Sequence, residues 1–405
     1  MKSFFVKTGI AALSALLLTF NISAQTYDDL LGQDEKVNTI TTAVSFLTIA
    51  PDARSGALGD AGVASAPDGS SIHWNPAKLA FIEKDMGFSI SYTPWLRALV
   101  DDINLSYLGF FKKIDEDQAI GASLLYFTLG EIQFTDDQGG SLGTVSPNEF
   151  ALDFAYSRKL GEDFSGGIAL RYVYSNLTAG QIAGGIETKP GWAIAADVSA
   201  YYQKDIDFNR TPAKFAAGIN ISNIGNKISY SESIESDFIP INLRFGPSLT
   251  FQLDDYNSLA LLLDINKLLV PTPPIYKRDE TSSGYVYDDD GNLVIESGKD
   301  PNRSVVSGMF GSFSDAPGGF SEEMKEFTIS SGVEYWYDKQ FALRGGYFYE
   351  NELKGNRKFF TLGLGLKYNV FGLDFAYLVP IAQRNALENV LRFSLTFDLD
   401  AVREQ

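Results

Sequence analysis

The sequence predicts an all-β chain: a 14-stranded antiparallel transmembrane β-barrel of an outer membrane, with an N-terminal plug or hatch segment. Three observations carry this expectation. The chain opens with an export signal. Strand-length stretches of period-two alternation recur between residues 85 and 400. The connections between them alternate between short turns and long loops, as in bacterial transmembrane barrels.

Residues 1–24 read as the signal. Lys2 and Lys7 form a positive start, Gly9 to Phe20 is an apolar run too short to span a bilayer comfortably, and Asn21-Ile22-Ser23-Ala24 offers a small residue at the cleavage point. Removal takes two lysines with it, moving the net charge from −18 to −20. So acidic a chain is a poor partner for nucleic acid. With no cysteine there is no lipoprotein anchor, disulfide or thiolate metal site. No second apolar run approaches a membrane-spanning helix. A mature length of about 380 residues would usually suggest two or more soluble domains; one large closed sheet is the alternative, and the alternation decides for it.

Residues 25–84 precede the barrel as a periplasmic or plug segment. Asp28 to Glu35 is acidic, whereas Thr41 to Lys84 is dominated by Gly, Ala and other small residues, with a short apolar run from Val44 to Ile49. A compact plug in the barrel and a periplasmic linker both fit; the plug is preferred because lumens of this size are often filled. Its candidate residues are Arg54, Asp60, His73, Trp74, Asn75 and Pro76.

The barrel is expected over residues 85–400, with strands near 85–93, 102–112, 118–134, 147–159, 163–177, 190–204, 211–223, 240–253, 256–267, 324–338, 340–351, 356–368, 370–378 and 388–400. In the eighth, Ile241, Leu243, Phe245, Leu249, Phe251 and Leu253 alternate with Asn242, Arg244, Ser248, Thr250 and Gln252. In the last, Leu391, Phe393, Leu395, Phe397 and Leu399 alternate with Arg392, Ser394, Thr396 and Asp398. Arg171, Asp197, Arg244, Asp264, Glu334, Arg344, Lys367 and Asp374 all keep to the polar face, which marks a polar lumen. Most strands have the length a tilted strand needs to cross hydrocarbon. Closure leaves no edge, and unpaired amides in hydrocarbon cost several kcal/mol each. An even strand number places both termini in the periplasm. Trp95, Trp192, Tyr202, Trp336 and Tyr337 fall near strand ends, where interfacial aromatic belts sit.

Residues 268–323 form the longest outer loop. Pro271, Pro273 and Pro274 stiffen its start, and Tyr285 to Ile295 reads as a hairpin turning at Asp290-Gly291. Met309, Phe310, Phe313 and Phe320 are apolar side chains that fold over the mouth or meet a partner. They are the candidate partner- or cargo-binding residues.

No catalytic constellation emerges, and no cofactor or metal is expected. Gly139-Gly140-Ser141-Leu142-Gly143 matches a nucleophile elbow in letters only; a flexible turn in a polar loop is the better reading. His73 is the sole histidine and reads as a packed or hydrogen-bonded plug residue. Asp288-Asp289-Asp290-Gly291-Asn292 lacks the ligand spacing of a calcium loop and reads as a hairpin tip.

The segments Phe46-Leu47-Thr48-Ile49-Ala50-Pro51-Asp52-Ala53-Arg54-Ser55-Gly56-Ala57-Leu58-Gly59-Asp60-Ala61-Gly62-Val63-Ala64 and Trp74-Asn75-Pro76-Ala77-Lys78-Leu79-Ala80-Phe81 together resemble the PorV family of the Bacteroidetes type IX secretion system. Asn75-Pro76-Ala77 also resembles the wider FadL-like group of fourteen-stranded barrels with N-terminal hatches. The resemblance implies an outer-membrane receptor for cargo proteins with a C-terminal secretion domain. Such a protein would associate with the giant outer-membrane translocon barrel and deliver cargo to a surface attachment complex, with outer-membrane lipid around it. A plugged fourteen-stranded barrel is too narrow to conduct a folded protein, so a secretion role would be binding or shuttling. A FadL-like channel for fatty acids or other hydrophobic solutes is the alternative, and an outer-membrane enzyme acting on lipid is a third.

Overall fold

The computed structural model describes residues 37–400 except 98–99, 101, 136–139, 178–181, 184–185, 232–235, 280–283 and 383–385. The expected signal and residues 25–36 lie outside the described residues. The chain divides into residues 1–37 and residues 38–405, and every element below belongs to the second unit.

Fourteen strands close into one antiparallel barrel, each paired with its neighbours in sequence. They are β1 (Met86–Pro94), β2 (Asn104–Lys113), β3 (Gln118–Thr128), β4 (Asn148–Lys159), β5 (Phe164–Asn176), β6 (Gly191–Phe208), β7 (Thr211–Gly225), β8 (Asn242–Gln252), β9 (Asn257–Leu268), β10 (Thr328–Tyr337), β11 (Phe341–Tyr349), β12 (Lys358–Tyr368), β13 (Phe371–Pro380) and β14 (Leu391–Leu399). β14 closes onto β1, with Phe397 opposite Phe88 and Ser394 opposite Ser91. The alternation that predicts these strands also sets their faces. Leu170, Leu343, Leu362 and Leu364 point outward and are exposed, while Asp264, Ser330 and Thr361 point inward and are buried. A wall greasy outside and polar inside is the inverse of a water-soluble sandwich and suits a hydrocarbon surround.

Two expected boundaries shift for local reasons. The third strand stops at Thr128, because Gly130 takes φ +78° and redirects the chain. Residues Ile132–Thr135 then pair with Ser141–Val145 as a separate hairpin. The tenth strand begins at Thr328, since Met324–Glu326 coils into a 3-10 turn. The β8–β9 ladder is interrupted at Gly246 and Pro247, where proline has no N–H to donate.

One end of the barrel carries tight turns and the other the long loops. The lumen is not uniformly polar, as the inward charges suggested. At the loop end Leu105, Leu125, Phe127, Val173 and Ile241 form an apolar cluster with Val44, Phe46 and Leu47. Phe46 stacks on Phe127 with ring centroids 6.1 Å apart. Two expected belt residues also turn inward. Trp95 packs against this cluster, and Trp336 lies under the Arg344 guanidinium, 5.3 Å from the ring centroid. Trp192 and Tyr337 are exposed on the outer face.

The chain before β1 runs between the two ends. At the loop end Asn38 donates its backbone N–H to the Leu353 carbonyl (3.0 Å) and its side-chain amide to Pro273 O (3.0 Å) and Glu322 (3.1 Å). At the turn end Lys84 pairs with Asp400 (2.7 Å). The described chain therefore begins and ends at opposite mouths. Residues 84 and 400, where the barrel starts and finishes, share one mouth, and Asn38 lies at the other. Between these points lie two short helices, α1 (Ala53–Gly56) and α2 (Ser71–Trp74), and 3-10 turns at Ser45–Thr48 and Pro76–Phe81. Asp52 caps α1 by accepting from Ser55 N–H (2.8 Å). Asn75 caps the second 3-10 turn by accepting from Ala77 N–H (3.1 Å), with Pro76 in the first position.

Candidate functional site

Residues 52–82 touch inward side chains around the barrel through their backbone. Ala53 N–H donates to Ser394 Oγ (2.8 Å) and Gly59 N–H to Thr361 Oγ (2.9 Å). Gly62 and Val63 N–H both donate to the Asp264 carboxylate (2.7 and 2.8 Å). Ser165 and Ser248 hydroxyls donate to the Ala77 and Ala64 carbonyls (2.7 and 2.6 Å). Small residues let backbone meet wall. Gly59 sits at φ +70° against the Tyr347 backbone, where a side chain would collide and be strained, and Gly218 lies against the Val63 carbonyl.

The candidate plug residues are all accounted for in this packing. Arg54 forks onto Glu334 through Nε (2.9 Å) and Nη2 (2.8 Å) and reaches Asp68 with Nη1 (2.9 Å). This is the bidentate geometry that a planar guanidinium favours. Glu334 also accepts from Arg344 (2.7 Å), which continues to Asp374 (2.6 Å). Asp60 accepts from Arg392 (3.2 Å). Trp74 is buried, donates Nε1–H to Asp52 (2.6 Å), and carries the Arg244 guanidinium 4.3 Å from its ring centroid. Asn75 donates its amide to the Val63 and Ala200 carbonyls (3.0 and 3.1 Å). His73 stands edge-on to Trp74 at 5.0 Å. Burial, with Arg244 and Arg171 nearby, holds its imidazole well below its ordinary pKa. Among the described residues its side chain makes no hydrogen bond.

Sequence reasoning missed Lys78. It is fully buried, its ammonium donates to Gly62 O (2.8 Å) and Ser65 Oγ (2.9 Å), and burial pushes its pKa down to about 8. The residue stands in plain view inside the small-residue segment, but nothing in the pattern says which carbonyl it meets.

The elbow-like Ser141 opens the strand Ser141–Val145 rather than a turn, with no helix after it. The aspartate run at 288–292 does form a hairpin tip. Asp288 accepts from the Asp290 and Asn292 amides (3.0 and 2.8 Å), and Tyr287 bridges to Leu293. Among the described residues no cluster of three or more His, Asp or Glu could hold a metal ion.

The long loop is folded and strapped down. It carries α3 (Val305–Gly311) and α4 (Phe320–Glu323). Lys267, buried at the end of β9, donates to Glu323 (3.1 Å) and Glu326. Lys354 donates to Glu322 (2.6 Å) and Glu326 (3.0 Å), and Thr272 Oγ donates to Glu326 (2.7 Å). Lys267 is the residue that sequence reasoning should have found. It occupies the outward register of β9, among Leu261, Leu263 and Ile265, where a bare charge demands cover. Of the four candidate loop residues, Met309 packs down onto the apolar cluster. Phe310 is 69% exposed, Phe320 76% and Phe313 46%.

Two cavities open toward the two ends. The loop-side cavity, about 510 Å³, is lined by Trp95, Phe348, Arg171, Arg244, Arg357 and Arg392 among others. The turn-side cavity is about 570 Å³ and rich in lysine.

A family model described as type IX secretion system protein PorV matches residues 32–275. No curated protein matches the chain. Among solved structures, a Pseudomonas putida toluene transporter TodX is similar at 11% identity and TM-score 0.47, covering 89% of this chain and 97% of that one. CymD, a monoaromatic hydrocarbon channel, is similar at 13% identity and TM-score 0.49, covering 90% and 100%. A Pseudomonas aeruginosa FadL homologue is similar at 12% identity and TM-score 0.42, covering 89% and 99%.

Proposed function

The chain belongs to the family of the type IX secretion system protein PorV, and from that premise we propose that it captures secreted cargo at its loop-end mouth and works beside the translocon without conducting. Membership points to an outer-membrane secretion component. In the finer reading the loop end faces out of the cell, the turn end and residue 400 face the periplasm, and residues 1–24 are removed on export. Residues 44–82 serve as the plug, with Arg54, Asp60, Trp74 and Asn75 tying it to the wall. Loop 268–323 binds cargo carrying a C-terminal secretion domain, and cargo passes from there to a surface attachment complex.

The observation that carries the cargo reading is the rigid, greasy loop platform. Phe320 stands exposed on a short helix that buried ion pairs hold in place, and Phe310 on a second helix that Met309 packs onto the apolar cluster. Large apolar side chains fixed in water mark protein contact surfaces. In the Phe310→Ser/Phe320→Ser variant, secretion of such cargo should fall at least tenfold while the barrel assembles normally, read by its heat-modifiable mobility. Undiminished secretion would remove the platform from the account.

Uptake of a hydrophobic solute is the second reading. The apolar side of the loop-side cavity, with Trp95, Phe348, Phe359 and Leu378, favours it. The four arginines on the same lining weigh against a purely greasy ligand. Uptake of a labelled fatty acid that depends on this protein would support that reading.

A further inference from the structure

We propose that the turn-side cavity is a second docking site, a basic vestibule that receives an acidic polypeptide segment entering from the turn end. The chain as a whole has 51 acidic and 33 basic residues. The cavity reverses that balance, with eight Lys and Arg against five Asp and Glu in its lining. The deep charges are already committed: Arg54 and Arg344 are held by Glu334, Asp68 and Asp374. Six lysines remain. Lys113, Lys159, Lys214 and Lys367 occupy inward positions at the turn ends of β2, β4, β7 and β12, and Lys84 and Lys339 come from the flanking turns. Beyond Asp68 and Asp374, the same lining holds Asp52, Glu83 and Asp398.

The partners of Lys113, Lys159 and Lys214 leave those three available. Lys113 is 3.7 Å from Glu116 and Lys214 is 3.8 Å from Asp205, and those carboxylates are 80% and 86% exposed. Exposed pairs of this kind contribute little. Lys159 donates to a backbone carbonyl, that of Glu116 (2.7 Å). Ser89 Oγ is buried in the same lining and has no hydrogen-bond partner among the described residues.

The arrangement selects among anions. The lysines are spread over four strands around the circumference, so a single phosphate-sized anion cannot reach them together, whereas a chain bearing several carboxylates can. Lysine is a point charge without the planar fork that favours bidentate phosphate recognition. Lipid headgroups meet the outer wall, and these side chains point inward. A ring of like charges also repels itself, and a bound polyanion relieves that repulsion while steering its own entry. The vestibule is independent of cargo capture at the other mouth.

The test uses the detergent-purified full chain and a fluorescein-labelled decapeptide of alternating Glu and Gly, with a Gln-for-Glu peptide as control, read by anisotropy. The Lys113→Gln/Lys159→Gln/Lys214→Gln/Lys367→Gln variant should bind the acidic peptide at least tenfold more weakly, with a flatter salt dependence. Lys112→Gln, on the outward register of β2, should bind as the parent does. Should the quadruple variant fail to assemble, Lys214→Gln alone must weaken binding at least twofold. Equal binding by the lysine variants, equal binding of the Gln peptide, or displacement by inorganic phosphate at matching concentration would overturn the proposal.

Discussion

Asp264 is a wall residue that holds the backbone of the interior segment directly. One of its oxygens accepts from two consecutive amides, Gly62 and Val63, and the side chain is fully buried in β9. Asp264→Ala would orphan both donors, at a cost of about 1–3 kcal/mol each. Taking on the order of 3 kcal/mol in total, hydrogen exchange at Gly62 and Val63 should rise roughly a hundredfold, since about 1.4 kcal/mol is tenfold. The barrel strands should keep their protection, because the ladders on either side of β9 are untouched. Unchanged exchange at these two amides would mean that the segment is held by its other contacts alone. The residues of this interior were legible in the sequence only as a set. Arg54 reaching Glu334 joins residues 280 apart in the chain, and no periodicity encodes that distance.

The strands were the most legible elements, because period two is imposed by the pleat itself and each register slip would put charges into hydrocarbon. What the pattern could not reveal is which side of an end residue is covered. Trp95 and Trp336 sit near strand ends as belt residues do, yet their register points inward. Lys267 is the converse case: an outward charge made tolerable by Glu323 and Glu326 folding over it. Removing one member of such a buried set costs about 3–5 kcal/mol, because its partners stay buried and unpaired. Lys267→Met should therefore free the loop between β9 and β10, so that limited proteolysis cuts within residues 269–327 at least tenfold faster than in the parent. Equal resistance would show that Lys354 and the apolar cluster hold the loop unaided.

On the scale of the whole molecule, the barrel has two unlike mouths. The loop mouth carries a strapped platform with exposed phenylalanines, and the chain at Asn38 lies beside it. The turn mouth carries the lysine vestibule and the junction of Lys84 with Asp400. The interior segment joins them and touches strands all around the barrel. Everything proposed for secretion depends on the loop mouth facing out of the cell. The chain has no cysteine, so a single introduced thiol reports its side without background. The deciding measurement is labelling of Thr39→Cys, Asp290→Cys and Asp255→Cys in intact cells with a large membrane-impermeant maleimide. The account predicts that Thr39→Cys, beside the loop mouth, and Asp290→Cys, on the outer hairpin, react in intact cells. Asp255→Cys, in the β8–β9 turn, should react only after the outer membrane is opened. Labelling of Asp255→Cys in intact cells while the other two stay silent would contradict it.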